Sequence, residues 1–509
     1  MSETGRKRIH RKTDSDTAKL AAAQEEILGH AIEYGLDPLR TVFELIDHDE
    51  MNEVAAYGGF PTRLPHWRFG MDYEELQKSY TWGLSKIYEL VINNDPSYAY
   101  LMKSNPMVDQ KMVIAHVYGH TDFFKNNMWF SQTNRHMIDE MANHGTRVRR
   151  YIERHGEKPV EEFLDAAMSI EWLIDYHSVY SPHRPRTKYD FADHEESTEV
   201  RRLRAPKEYL EKYINPPEFL ERRRKEMQNQ IEKRKRFPES PTKDILEFLI
   251  EYAPLETWQR DILSMVREES YYFAPQALTK IMNEGWASYW HAKIMSEKAA
   301  EPSEIIDFAD HNAGVLGTRP GTLNPYKLGV ELWRNIEERW DKGRFGREYD
   351  ECDDLSTRRN WDKKLGQGRD KIFEVRRIYN DITFIDDFLT KEFALEQKLF
   401  VYKLNPQTNQ YEISDRDFEA IKKHLLFRLT NMGHPVIQVI DGNFRNRAEL
   451  LAKHVHEGVD LDFEEARDTL KNLQRIWKRP ANLQTMVEDQ PKLLRFDGEK
   501  HSEEDVSAA

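Results

Sequence analysis

The chain reads as mainly α-helical, with a large helical N-terminal domain followed by a small α/β domain. Three observations carry that reading. Apolar residues recur at helical spacing over most of the first 380 residues, Gly, Pro and Asn punctuate those runs, and near Ile382 the pattern shifts to the short alternating runs of strands. With 509 residues, 39% of them hydrophobic and 11% aromatic, the chain is long enough for two domains and apolar enough to fill them.

In order along the chain, residues 1–18 read as a disordered, partly basic tail, and residues 19–380 as the helical domain. Helical spacing runs from Asp16 to about Ile46, where Gly35 and Pro38 divide it into two helices. Tyr57 to Gly70, rich in Gly, Pro and aromatics, reads as an ordered loop, and a helix is expected from Asp72 to about Asn93. Asn105-Pro106 gives an N-cap and a first-turn proline for the next helix, which carries His116 and His120. Thr133 or Asn134 caps a further helix with His136, Glu140 and His144 at four-residue steps, and another, from Val160 to about Tyr180, carries His177. The basic runs between Pro217 and Pro238 read as a solvated helical excursion. Helices resume at Ile245, from Ile262 to Tyr272 and from Pro275 to Lys293, then through Trp333 and Trp340 after a loop from His311 to Gly329. Residues 381–496 form the α/β domain: a hairpin of Leu399–Leu404 with Tyr411–Ile413, and a buried strand at Pro435–Ile440 between two helical segments. Residues 497–509 read as a polar tail.

Composition narrows the function. A formal net charge of −14 disfavours a dedicated nucleic-acid binder, which needs a basic face. Cys352 is the single cysteine, so intrachain disulfides, cysteine zinc fingers and iron–sulfur clusters are excluded. No apolar run approaches the length of a membrane span, and the N-terminus lacks the apolar core of a signal peptide. The expected location is the cytoplasm.

The most informative feature is the pair His116 and His120. Four residues apart on a helix, they share one face within reach of a single ion. Far downstream, Asn283-Glu-Gly-Trp-Ala287 offers the carboxylate of Glu284, completing the two-nitrogen, one-oxygen set of an open zinc site. The peptidase pattern H-E-x-x-H requires an acid directly after the first histidine, and Val117 stands there instead. Glu140 is the best substitute as a general base, while His291, two turns beyond Glu284, is placed to support a ligand from behind or to carry a proton, with packing against Trp286 and Trp290 as the plainer explanation. A packed histidine pair is the plainer alternative, but two imidazoles and a carboxylate buried together need a cation or an extended hydrogen-bond network. A di-iron bundle would need paired Glu-x-x-His motifs, and that set is not seen.

These strings, together with His66-Trp-Arg-Phe-Gly70, Ile87-Tyr-Glu-Leu-Val-Ile-Asn-Asn94, Pro96-Ser-Tyr-Ala-Tyr-Leu101 and Asn324-Pro-Tyr-Lys-Leu-Gly329, resemble the stage V sporulation protein R (SpoVR-like) family. The resemblance implies a cytoplasmic bacterial or archaeal protein linked to spore cortex formation. It also implies partners, a PrkA-type serine protein kinase and a von Willebrand A-like protein, but no established reaction. A weaker similarity, to helical zinc metallopeptidases, implies Glu284 as third ligand.

Two functions are therefore expected in competition. One is a role in sporulation or stress physiology through a metal-dependent, hydrolase-like helical domain, with zinc or another divalent metal as cofactor. The other is a non-enzymatic adaptor beside the kinase and the von Willebrand A-like protein.

Overall fold

A computed structural model describes residues 3–81, 89–180, 216, 218–225, 237–318, 322–405 and 407–505. It is mainly helical, with a five-stranded sheet near the C-terminus. The residues cluster into two compact units: unit 1 holds 1–150 and 272–433, and unit 2 holds 151–271 and 434–509.

Unit 1 begins with α1 (Glu3–Glu33), so a helix occupies most of the stretch read as a tail. Strand β1 (Thr41–Ile46) follows, where a second helix was expected. Its β-branched and aromatic Thr-Val-Phe sequence suits a pleated edge, and pairing with a later strand decides between the two periods. Next come α2 (His48–Ala56), capped reciprocally by Asp47 and Glu50, and α3 (Trp67–Thr81), which starts inside the expected loop. The expected helix to Asn93 is corrected at its end: β2 (Leu90–Ile92) stands there, and residues 82–88 lie outside the described residues. β3 (Ser97–Met102) pairs parallel with β1 and antiparallel with β2.

The interior of unit 1 is built on α4 (Met107–Asn126), on the first part of α5 (Met137–His155), and on helices that return from far downstream. On α4 every residue from Val108 to Phe124 is buried, so it is wrapped on all sides. In unit 2, α6 (Glu157–Met168) ends well before Tyr180. The helix expected to run on stops there, and His177 lies on an irregular segment just ahead of a single 3₁₀ turn. α7 (Ile245–Tyr252) is capped by Asp244. α8 (Thr257–Leu278) runs through Pro275, where a new helix was expected to start. Of the basic runs, Arg222–Lys225 is exposed helix, and Lys233 to Arg236 lie outside the described residues.

Back in unit 1, α9 (Lys280–Ile294) carries Glu284, and α10 (Ile305–Val315) occupies the start of the expected His311 loop. α11 (Pro325–Lys342), α12 (Gly368–Ile378) and α13 (Asp381–Phe388) follow. Then come the hairpin β4 (Val401–Asn405) with β5 (Gln410–Asp415), as the alternation predicts, and α14 (Phe418–Leu429). Glycines set the spacing of the central helices. A Cβ on Gly119 would fall 2.6 Å from Ala287 Cα, and one on Gly285 would fall 2.4 Å from Gly329 Cα. The backbones of α4, α9 and α11 therefore approach as only glycine permits, beside His116, His120 and Glu284. Trp286, Trp290 and Trp333 fill the space around these crossings.

Unit 2 contains the larger sheet, in the order β10-β9-β8-β7-β6. β6 (Ile437–Phe444) and β7 (Glu449–His454) are antiparallel. α15 (Phe463–Trp477) then crosses to β8 (Ala481–Val487), which lies parallel to β7, as a helical crossover requires. β9 (Gln490–Phe496) and β10 (His501–Asp505) complete it, the last within the stretch read as a polar tail.

Candidate metal centre

Helical spacing alone puts His116 and His120 on one face of α4, and the Gly119 crossing carries that face to α9. The imidazole centroids are 4.6 Å apart. Glu284 reaches them from α9, and Glu89, just ahead of β2, comes from the other side. His116 Nε2 lies 3.0 Å from Glu89 Oε1 and 3.6 Å from Glu284 Oε2, and His120 Nε2 lies 3.7 and 3.4 Å from the same two oxygens. One donor atom from each of the four residues lies within 4.8 Å of all the others.

The backs of both rings are held. Asn283 Oδ1 accepts from His120 Nδ1 at 2.9 Å. His116 Nδ1 lies 2.7 Å from His291 Nδ1, and His291 Nε2 donates to Asn312 Oδ1 at 2.9 Å. The tautomers that satisfy these contacts are fixed in sequence: Asn312 Oδ1 accepts from His291 Nε2–H, so His291 Nδ1 accepts from His116 Nδ1–H. Both ligand-pair imidazoles then carry hydrogen on Nδ1 and aim Nε2 at the carboxylates, the orientation that outer hydrogen bonds impose on metal-binding histidines. Burial and the neighbouring His116 charge hold His291 down at about 3, so it stays neutral.

Electrostatically the four residues lean on one another. Burial pushes the Glu89 carboxyl up, but His116 and His120 outweigh it and bring it to about 2. Glu284 is likewise held well below the usual range, against burial, by both histidines and Lys280. His120 rises to about 10 because Glu284 and Glu89 overcome its desolvation. In the absence of an ion the charges balance only through protons on the imidazoles.

Those protons do not close the network. Among the described residues, neither His116 Nε2 nor Glu284 Oε2 has a hydrogen-bond partner of acceptable direction, although both are buried. Donors about 2.0–2.1 Å from one tetrahedral zinc ion stand roughly 3.3–3.4 Å apart. The four nitrogen–oxygen separations, 3.0 to 3.7 Å, bracket that edge. The donor set fits a divalent metal.

The site sits close to solvent on one side. The Glu89 side chain is 19% exposed, against 5% for both histidines, and Lys280, 56% exposed, places Nζ 2.6 Å from Glu284 Oε1. The Tyr326 ring lies 6.3 Å from that of His116, and burial with the Glu284 and Glu89 charges raises its hydroxyl pKa.

Of the residues expected from sequence, His116, His120 and Glu284 are brought together, with His291 in contact behind them. Glu140 lies on α5, outside this group of four, with its Oε2 3.5 Å from Asn143 Nδ2. Glu89 was missed. It stands just ahead of a three-residue strand in a stretch read as helix, where nothing set it apart, so its presence in the string Ile87 to Asn94 was the one available signal.

Fold and site together define a helical protein built around a buried pair of histidines and a pair of carboxylates. The family described as "SpoVR like protein" matches residues 14–434, and "SpoVR-like C-terminal domain" matches residues 435–488. The chain belongs to the SpoVR-like family. It is 30% identical over 483 residues to the "Uncharacterized protein YcgB" of Escherichia coli (strain K12), covering 90% of this chain and 89% of that one. No solved structure matches it. The break between the two family segments coincides with the return of the chain to unit 2 at His434.

Proposed function

We propose that unit 1 binds zinc or another divalent metal through His116, His120 and Glu284, with Glu89 beside it, and that this centre gives the protein a hydrolase-like activity in sporulation or stress physiology, in the cytoplasm. The convergence of four donor atoms, three of them on buried residues and two otherwise unpartnered among the described residues, supports it. A metal held there supplies Lewis acidity to a carbonyl and acidifies water. Glu89, the more exposed carboxylate, takes the proton that the Val117 side chain cannot accept. Lys280 and Tyr326, on the Glu284 side, offer donors to a developing oxyanion. His291 is a positioning residue, holding the His116 ring. Peptides and peptidoglycan precursors are the substrates to try first, in keeping with the distant likeness to helical metallopeptidases.

One observation favours the adaptor reading instead. Four protein donors already fill a tetrahedral shell, as in structural zinc sites. In that case the metal only stabilises a surface that meets a PrkA-type kinase and a von Willebrand A-like protein.

Mass-spectrometric metal analysis tests the proposal: the native protein should carry about one divalent ion per chain, and His116→Ala and Glu284→Gln should carry almost none. A folded native protein without metal sinks both readings of the centre. Cobalt substitution then separates them, because azide shifts the cobalt spectrum of a site with an exchangeable position and leaves a closed one unchanged.

A further inference from the structure

Elsewhere in unit 1, Thr318, Thr322 and Leu323 ahead of α11, the first turn of α11, residues 397–400 with the β4–β5 hairpin, and α14 line a cavity of about 700 Å3. Protein interiors pack with few voids larger than a water molecule, and this volume falls in the range of small-molecule sites. Its floor is aliphatic: Leu328, Ile421 and Leu425 line it, yet each is buried from bulk solvent. Its rim is cationic, carrying Lys327, Lys398 and Arg428 beside His424, and among the described residues no acidic side chain lines it. Among the described residues none of the three permanently charged groups has an ion-pair partner, whereas most lysines and arginines elsewhere on α11 and α12 find one or rest on an aromatic ring. Burial and the Arg428 charge both push the His424 pKa down, so the rim's positive charge comes from the lysines and the arginine. Asn324, the amide at its edge, is already spent: it caps α11 through Lys327 N and donates to the carbonyls of Val315 and Gly317.

We propose that this cavity binds an amphiphilic organic anion, an acidic group held at the Lys327, Lys398 and Arg428 rim with an aliphatic chain laid on the Leu328, Ile421 and Leu425 floor. The aliphatic floor suits a hydrocarbon chain, and the rim supplies the counter-charge that a carboxylate or phosphate requires. The site uses none of the four metal-centre residues, so it stands or falls independently of the function proposed above.

Isothermal titration of the full chain with dodecanoate, below its micelle concentration, tests this against two controls, dodecyltrimethylammonium and AMP. One dodecanoate per chain is expected, bound at least tenfold more tightly than the cation of equal chain length. The Lys398→Ala/Arg428→Ala double variant, at exposed positions, should weaken it at least tenfold, and Leu425→Trp should abolish it by filling the floor. Absence of dodecanoate binding overturns the proposal, as does equal binding of both amphiphiles or indifference to the double variant. Tighter binding of AMP overturns the aliphatic assignment. Should Leu425→Trp fail to fold, the double variant and the charge control decide.

Discussion

Two buried charge clusters stand on the same pair of helices and are closed in different ways. Asp122, on α4 one and a half turns beyond His116, is met from all sides. Arg376 Nη1 donates to both of its oxygens at 2.7 Å, Trp286 Nε1 to Oδ2 at 2.8 Å and Asp37 N to Oδ1 at 2.7 Å. One donor, Arg376 Nε, is left without a partner among the described residues, and the guanidinium rests on the Trp286 and Phe373 rings. The quartet of Glu89, His116, His120 and Glu284 has its back held, while at its front His116 Nε2 and Glu284 Oε2 lack a hydrogen-bond partner among the described residues. The first cluster needs nothing from outside the chain. Its neighbour is built as though something were to be added, since buried carboxylates are stable only when paired.

That contrast makes opposite predictions for the two clusters. Asp122→Ala strands the Arg376 charge in the interior and should cost about 3–5 kcal/mol in urea unfolding, with or without chelator, while the folded fraction keeps its metal. Retention of native stability would show that the pair is not the closed cluster described. For the quartet, stability should follow the ion instead. Free metal at a hundredfold excess over its Kd adds about 2.7 kcal/mol, a chelator removes it, and Glu284→Gln should be indifferent to both. A chelator response equal in native protein and Glu284→Gln would place the metal elsewhere.

A third buried carboxylate lies between these extremes and carries a pH signature. Asp381 accepts from Ile281 N at 2.8 Å and Met282 N at 2.9 Å, capping α9, whose own Thr279 makes no side-chain cap bond. Burial raises its carboxyl to about 7, against the pull of those two amides. The folded state therefore binds this proton more tightly than the unfolded chain does. The stability it contributes is complete below the unfolded value near 4 and is lost as the pH rises towards 7. Native protein compared with Asp381→Asn should lose about 2 kcal/mol of its relative stability between pH 5 and 7 and little beyond. A difference that stays flat across that window would show Asp381 to be ionised throughout.

How much of this was legible beforehand depends on how local each signal is. The α4 helix and its histidine face follow from spacing alone, and Glu284 from a motif on a second helix, because both elements are long and periodic. The hairpin at Val401 and the strand at Ile437 also follow from alternation and turn residues. Thr41–Ile46 and Leu90–Ile92 were read as helix, since strands this short offer too few residues to separate one period from the other. Their identity is settled by β3, which pairs with both and is distant from β1 in sequence. Glu89 was hidden for the same reason, being delivered by tertiary pairing. Asn312 lay in a stretch read as loop, so its hold on His291 had no sequence signal either.

The smallest effect expected is at Glu140, which sequence reasoning singled out as the acid missing after His116. Half-buried on α5 and within 3.5 Å of Asn143 Nδ2, it is not among the four converging residues, and the proposed reading gives the proton to Glu89. Glu140→Gln, which keeps the shape of the side chain, should then leave the metal of the quartet in place and alter stability by no more than about 0.5 kcal/mol, the usual range for a half-exposed surface position. Glu89→Gln is the matched control. Losing the proton acceptor, it should abolish any hydrolysis found in the native protein while metal occupancy holds, and a fall in occupancy would make Glu89 the fourth ligand of a closed site. If Glu140→Gln instead abolishes that hydrolysis while Glu89→Gln spares it, the acid belongs to α5, and the quartet is a closed structural site whose chemistry lies elsewhere.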